Sequence, residues 1–199
     1  MIENTLEYLV DDNLNAFQSY LDTNDIDINI QLNLRIDDIK DFPIENPTPI
    51  LLACYFESEA CFEYLIDMGA DPFITDSYNR NCFHYIAFRG QIEFLRRVVS
   101  LIIGDINKYC FADRNGLTPV HIATIANNDE IIKFLYEKNV PIEAIEDNQG
   151  RSPIRIAIQY GNIESFDLIK DNSAEVNSRN MQTLLQSAIK FDRVEILKK

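Results

Sequence analysis

Short, almost wholly apolar blocks, each led by a hydroxyl or amide residue, recur along this chain. Thr118-Pro119-Val120-His121-Ile122-Ala123 is the clearest. Thr48-Pro49-Ile50-Leu51-Leu52-Ala53 and Ser152-Pro153-Ile154-Arg155-Ile156-Ala157 share its shape. Asn81-Cys82-Phe83-His84-Tyr85-Ile86, followed by Ala87, and Thr183-Leu184-Leu185-Gln186-Ser187-Ala188 are more divergent copies. The blocks begin at residues 48, 81, 118, 152 and 183, at spacings of 33, 37, 34 and 31. After each comes a polar break and a second, amphipathic stretch: Gly90-Gln91-Ile92-Glu93-Phe94-Leu95, Asn127-Asn128-Asp129-Glu130-Ile131-Ile132, Gly161-Asn162-Ile163-Glu164-Ser165-Phe166 and Asp192-Arg193-Val194-Glu195-Ile196-Leu197. Self-similarity at such a period marks a stacked array of small modules and outranks any local motif in deciding the fold.

Each block reads as a helix start. A leading Thr or Ser can cap free backbone N–H groups with its hydroxyl, and Pro fits the first turn, where no donor is needed. The Ala five residues later lets a neighbouring helix come close. Gly or Asn at the break suits the left-handed residue that closes a helix. The pattern predicts helices over Pro49–Glu57, Ala60–Met68, Cys82–Arg89 and Ile92–Ile103. On the last of these, Phe94, Leu95, Val98, Val99 and Ile102 form one apolar stripe. The 37-residue spacing implies about four additional residues near Ile103–Phe111, in a longer helix or a wider loop. Arg155 stands where two other blocks carry His, so one internal hydrogen bond is expected to be missing there.

These features resemble the ankyrin repeat family, whose unit is about 33 residues with a T-P-L-H-x-A signature. Met68-Gly69-Ala70-Asp71-Pro72 and Asn172-Ser173-Ala174-Glu175-Val176-Asn177 look like the family's turn after the second helix; Asp113-Arg114-Asn115-Gly116-Leu117 and Asp147-Asn148-Gln149-Gly150-Arg151 resemble its hairpin tip. The resemblance implies an all-α fold, an α-solenoid of about six stacked helix-turn-helix units with short β-hairpin or loop fingers. It also implies a single domain over residues 1–199. Residues 1–29 are its N-terminal cap, 30–47 a loop insertion, and 48–77, 78–112, 113–146 and 147–178 its repeats; 179–199 is a truncated last repeat, either a fragment end or a fraying one. The insertion carries Ile36, Ile39 and Phe42 among acids and is either an extended hairpin packed on the array or a flap that contacts a partner.

Composition narrows the function. Lys and Arg number 18 against 32 Asp and Glu, a net charge of −14, which argues against nucleic acid or an anionic membrane as partner. No apolar run reaches the ~18 residues of a membrane span, and the N-terminus lacks a secretory signal. Cys54, Cys61, Cys82 and Cys110 form no CxxC pair and no zinc-spaced cluster, and read as small core residues of an intracellular protein, cytoplasmic rather than nuclear. His84 and His121 occupy the fourth position of their blocks, where the family's histidine braces backbone groups. No phosphate loop, nucleophile–base set or metalloprotease helix is present, so neither an enzyme nor a cofactor is expected.

Function is therefore expected on the surface. The resemblance implies contacts through hairpin tips and through the exposed ends of the first helices. Those helix ends supply Tyr55, Phe56, Phe88, Arg89, Ile125, Gln159, Tyr160 and Phe191. The tips supply Tyr78, Arg80, Arg114, Asn115, Leu117 and Arg151. Aromatic and Arg residues dominate interface hot spots, so this stripe suggests recognition of a protein or peptide by a monomeric scaffold or adaptor. The alternative for Phe56 and Phe88 is that they turn inward to fill inter-unit packing. The arginines suggest a neutral or positive stripe on an acidic body. A second reading is that these repeats target or regulate a larger protein whose catalytic or channel part lies elsewhere.

Overall fold

The computed structural model describes residues 2–37, 42–141, 145–172 and 178–197. The chain divides into two compact units, Met1–Ile102 and Ile103–Lys199. In the first, α1 (Ile2–Val10) pairs with α2 (Leu14–Asn24), α3 (Pro49–Phe56) with α4 (Glu59–Asp67), and α5 (Cys82–Arg89) with α6 (Ile92–Ser100). The first helix of each pair packs on the next, α1 on α3 and α3 on α5, and α2 packs on α4. The second unit opens with a 3-10 turn (Ile106–Tyr109), then pairs α7 (Pro119–Ala126) with α8 (Asp129–Glu137), α9 (Pro153–Tyr160) with α10 (Ile163–Asp171), and α11 (Ser178–Lys190) with α12 (Val194–Leu197). Here α7, α9 and α11 form one row and α8, α10 and α12 the other.

The first helices explain the stacking. α3 is eight residues long, and Ile50, Leu51, Leu52, Ala53 and Cys54 have no accessible surface. A helix that short is marginal in water, and one apolar on every side is stable only when neighbours cover it. α5, α7 and α9 have the same length and are buried likewise, except that Arg155 of α9 is half-buried. Each pair then reverses through a left-handed residue: Glu57, Gly90, Asn127 and Gly161 have φ of 63°, 86°, 59° and 80°. Side chains of one repeat hold the carbonyls thus exposed in the one before. Asn162 Nδ2 donates to the Thr124 carbonyl at 2.6 Å, Arg193 Nη2 to that of Gln159 at 2.7 Å, and Ser58 Oγ to that of Leu9. The Asp12 carboxylate accepts from the N–H groups of Ala60 and Cys61, both at 3.0 Å, and so caps α4 from the preceding pair.

The two histidines brace their blocks. His121 Nδ1 accepts from the Thr118 N–H at 3.2 Å, which leaves the proton on Nε2 to be donated to the carbonyls of Ile145 (3.0 Å) and Arg151 (3.2 Å). His84 Nδ1 accepts from the Asn81 N–H at 3.2 Å in the same way. Both helices carry a complete reciprocal cap. Where the histidine is replaced, the cap bond is absent: neither Thr48, with Leu51 at the fourth position, nor Ser152, with Arg155, makes a side-chain cap. Arg155 instead donates to the Gly150 carbonyl at 2.9 Å. Burial moves the His121 imidazole below its ordinary 6.5, against the raising effect of the carbonyls it holds.

One expectation is corrected, and between the two readings of the insertion the packed hairpin is the one found. α6 ends at Ser100 rather than Ile103, and Ile103 is fully exposed beside Gly104 at φ 109°. The additional residues form the wide loop and 3-10 turn. The insertion is a two-stranded hairpin, with β1 (Arg35–Ile36) antiparallel to β2 (Ile44–Glu45). It does not offer Phe42 to a partner: Phe42 and Ile44 are buried, and the Phe42 ring stacks on Phe88 at 4.4 Å and meets Tyr85 edge-on at 5.1 Å. Ile39 and the turn copy at 173–177 lie outside the described residues.

Phe42→Ala should therefore destabilise the first unit by about 3–5 kcal/mol, the usual cost of emptying a buried aromatic site; urea denaturation measures it, and a change under ~1 kcal/mol would show the hairpin to be dispensable. For His121, between its lowered folded pKa and 6.5 the unfolded chain binds a proton that the folded one refuses. Stability should accordingly fall as pH drops through that window from above. His121→Gln should lower stability by about 1–3 kcal/mol at neutral pH and reduce this dependence, read from urea midpoints at pH values above and below the window.

Candidate partner-binding site

In the first unit the ends of α3 and α5 form an aromatic and arginine surface. Tyr55 meets Phe56 edge-on at 5.0 Å and stacks with Phe88 at 6.5 Å; the Arg89 guanidinium lies 5.4 Å from the Tyr55 ring centroid. Tyr55, Phe56 and Phe88 are half-buried, while Arg89 is exposed and ion-paired with Glu57. Phe88 serves both readings, one face stacked on Phe42 and the residue still partly accessible.

Arg80 is a correction. Expected at a tip, it is wholly buried, with its guanidinium 4.2 Å from the Phe42 centroid and 5.0 Å from that of Tyr78. Its Nη1 donates to the Pro43 carbonyl at 2.9 Å, so the insertion covers it. Aromatic faces and a carbonyl satisfy a cation without a competing water shell. Beneath it, Asp76 Oδ1 accepts the N–H groups of Tyr78 (2.9 Å) and Arg80 (2.8 Å), while Oδ2 accepts from the Tyr85 hydroxyl at 2.9 Å. Burial raises the Asp76 carboxyl above 3.8, although these hydrogen bonds and Arg80 pull the other way. Burial likewise pushes the Tyr85 phenol well up, helped by the Asp76 charge. Tyr78 is half-buried on this network.

In the second unit Arg114 and Asn115 are exposed at their tip. Leu117, expected beside them, is corrected too: it is buried, with its backbone N–H donating to Asp113 Oδ1 at 2.9 Å, and as an apolar side chain it gains by leaving water. Adjacent fingers touch closely. Asn148 Nδ2 donates to the Arg114 carbonyl at 2.8 Å, and a Cβ on Gly116 (φ 78°) would fall 2.7 Å from the Asn148 nitrogen. Arg151 is half-buried, paired with Asp147 at 2.7 Å, and donates to Gln159 Oε1 at 3.2 Å. Burial alone would raise the Asp147 carboxyl, but Arg151 and the N–H groups of Arg151 and Gln149 outweigh it and hold the group below 3.8. Ile125, Gln159 and Phe191 are half-buried; Tyr160 is exposed.

Three of the arginines read as a neutral or positive stripe thus carry no open positive charge. Arg80 is buried against rings, and Arg89 and Arg151 each sit on a carboxylate. The structure brings Tyr55, Phe56, Phe88 and Arg89 together, and separately Arg151 with Gln159. It adds Phe42, whose only sequence signal was an aromatic in an acidic insertion. Among the described residues no group of three His, Cys, Asp or Glu side chains is placed to hold a metal, and no helix is long and apolar enough to cross a membrane. All four cysteines are free and buried, with Cys54 Sγ 3.6 Å from Cys82 Sγ.

Known sequences resolve the lineage of this arrangement. Sequence profiles of ankyrin repeats match residues 50–99 and, as three copies, residues 96–180. Mouse (Mus musculus) Rabankyrin-5 is 28% identical over 136 residues, covering 68% of this chain and 11% of that protein. The mouse B-cell lymphoma 3 protein homolog is 23% identical over 132 residues, 66% of this chain and 30% of its own length. Alpha-latrotoxin-Lhe1a of Latrodectus hesperus is 26% identical over 114 residues, 56% of this chain and 8% of the toxin. The chain therefore matches less than a third of each of these three proteins. With paired short helices stacked in rows, histidine-braced caps and profile matches running from residue 50 to residue 180, the chain belongs to the ankyrin repeat family.

Proposed function

We propose that this chain is a non-enzymatic, monomeric scaffold or adaptor module that binds another protein, as a peptide or a domain surface, inside the cell. The observation that carries the reading is the partly exposed cluster of Tyr55, Phe56, Phe88 and Arg89 on adjacent first-helix ends. Rings held in place by packing lose little conformational entropy on binding, and they combine apolar area with a polar edge. Arg114, Asn115, Gln159 and Tyr160 offer further polar and aromatic contacts on the second unit. Ankyrin repeat domains generally mediate protein binding, which supports the reading, and the net charge of −14 disfavours a nucleic-acid partner. Arg80 and Leu117 leave the contact set, since both are buried.

A second reading makes these repeats the targeting or regulatory region of a larger protein; the small share of its relatives' length that the chain matches favours it. The two readings agree on the binding surface and differ in what it serves.

Selection of a displayed peptide library on the purified chain, repeated on Tyr55→Ala, Arg89→Ala and Tyr160→Ala, tests the proposal. Enriched peptides should bind the parent and lose about tenfold or more in affinity on at least one variant, as truncation of a hot-spot side chain costs. The variants' melting temperatures should stay within a few degrees of the parent's. Peptides that bind all variants equally would remove the aromatic surface from the mechanism.

A further inference from the structure

The net negative charge resides in one part of the chain. Residues 1–79 hold 17 acidic side chains against 2 basic ones, Arg35 and Lys40, whereas residues 80–199 hold 15 against 16. Arg35 is itself paired with Asp37 at 2.8 Å. The part carrying the whole net charge also contains two adjoining cavities, which share Leu21 and Ile26 as a common wall.

The first cavity, of about 200 Å³, is mostly apolar, lined by Leu21, Ile26, Ile30, Leu32 and Pro49, with Thr5, Gln31 and Asn33 as its polar members. An aliphatic cavity of about 150 Å³ already accepts a benzene-sized group, so this one accommodates a single large apolar side chain. The second, of about 250 Å³, has Tyr64 and Met68 on its apolar side and the exposed carboxylates of Asp22 and Asp25 at its rim. Ile30 is 40% and Met68 55% exposed, which leaves apolar surface open on both sides of the shared wall. The loop that forms this wall is tied down: Asn29 Oδ1 accepts the Asp71 N–H at 2.8 Å, and Gln31 Nε2 donates to the Thr75 carbonyl at 2.6 Å. The cavities are preformed rather than dependent on a free loop.

We propose that this paired cavity is a docking site for a basic peptide segment, in which one Leu-, Met- or Phe-sized side chain enters the apolar cavity and flanking Lys or Arg residues meet Asp22 and Asp25. Neither feature suffices alone. The carboxylates are exposed and screened by salt, and the apolar cavity by itself selects no charge. Together they select a cationic segment with an apolar anchor and reject an acidic one. The site lies at the end of α2 and the loop after it, apart from the aromatic surface on α3 and α5.

The test uses the whole chain and a short fluorescein-labelled peptide with a central leucine, lysines on both sides and a Gly/Ser remainder. Two controls replace the leucine by serine or the lysines by glutamate. Fluorescence anisotropy should show the leucine peptide binding about tenfold more tightly than the serine peptide, the loss expected for one buried aliphatic side chain. The glutamate peptide should not bind. Ile30→Ser and the double change Asp22→Asn, Asp25→Asn should each weaken binding severalfold, and the second should also reduce its salt dependence. Asn accepts the left-handed backbone of Asp25 (φ 49°), so this variant keeps the fold. Amide chemical shifts should move at Leu21, Ile26, Ile30 and Asn33. Tyr55→Ala, Arg89→Ala and Tyr160→Ala should leave this binding unchanged, which separates the outcome from that of the aromatic surface. Equal affinity for the leucine and serine peptides, shifts confined to other residues, or no binding at millimolar peptide would overturn the proposal.

Discussion

Everything in this structure depends on covering the first helix of each repeat. Eight residues make two turns, too few to stand alone, and their apolar side chains leave no face for water. Such a helix is stable only between two others. The need propagates from one pair to the next: α3 requires α1 and α5, and α9 requires α7 and α11. Ala53, Ala87, Ala123 and Ala157, all without accessible surface, mark where neighbours press closest. The second helices are amphipathic instead. On α6, Phe94, Leu95 and Val98 are buried, while Arg97 turns outward to Glu63 at 2.9 Å and Asp67 at 2.7 Å.

Close packing of apolar cylinders does not by itself set their register; polar groups do that. Backbone N–H and C=O groups freed at helix ends inside a stack must find partners. His84 and His121 satisfy the starts of their helices, and Ser58, Asn162 and Arg193 satisfy ends in the preceding repeat. Repeats lacking the histidine show what is lost. The Thr48 hydroxyl is buried with no hydrogen bond among the described residues, and Arg155 reaches round to the Gly150 carbonyl instead. These repeats rely more on apolar contact than on caps.

The insertion changes what the array can present. An ordinary finger would leave the Phe88 end of α5 and the Arg80 tip in water. Phe42 lies on both, so aromatic area that would have served recognition is consumed in packing, and Arg80 becomes a core residue held by rings and the Pro43 carbonyl. What stays accessible is the outer edge, Tyr55, Phe56 and Arg89, with part of Phe88. The acidic residues 1–79 carry the preformed cavities on other elements, so chemistry suited to partners is unevenly shared along the repeats.

The helical array was legible in the sequence because a helix start, a left-handed turn and an apolar period are local properties, written within each block and repeated. The Cys82–Arg89 helix follows from the repeated apolar block and Gly90 after it, and the roles of His84 and His121 follow from their place in the block. The candidate surface was legible only by position. Arg80 and Leu117 occupy tip positions, yet both are buried; for Arg80 the reason is what lies above it, Phe42 and the Pro43 carbonyl of the insertion. Contacts between segments dozens of residues apart leave no periodic trace. Periodicity thus determined which residues form helices and which faces meet, while only the tertiary structure decided which charged and aromatic side chains still face water, because burial is a property of neighbours and not of the residue.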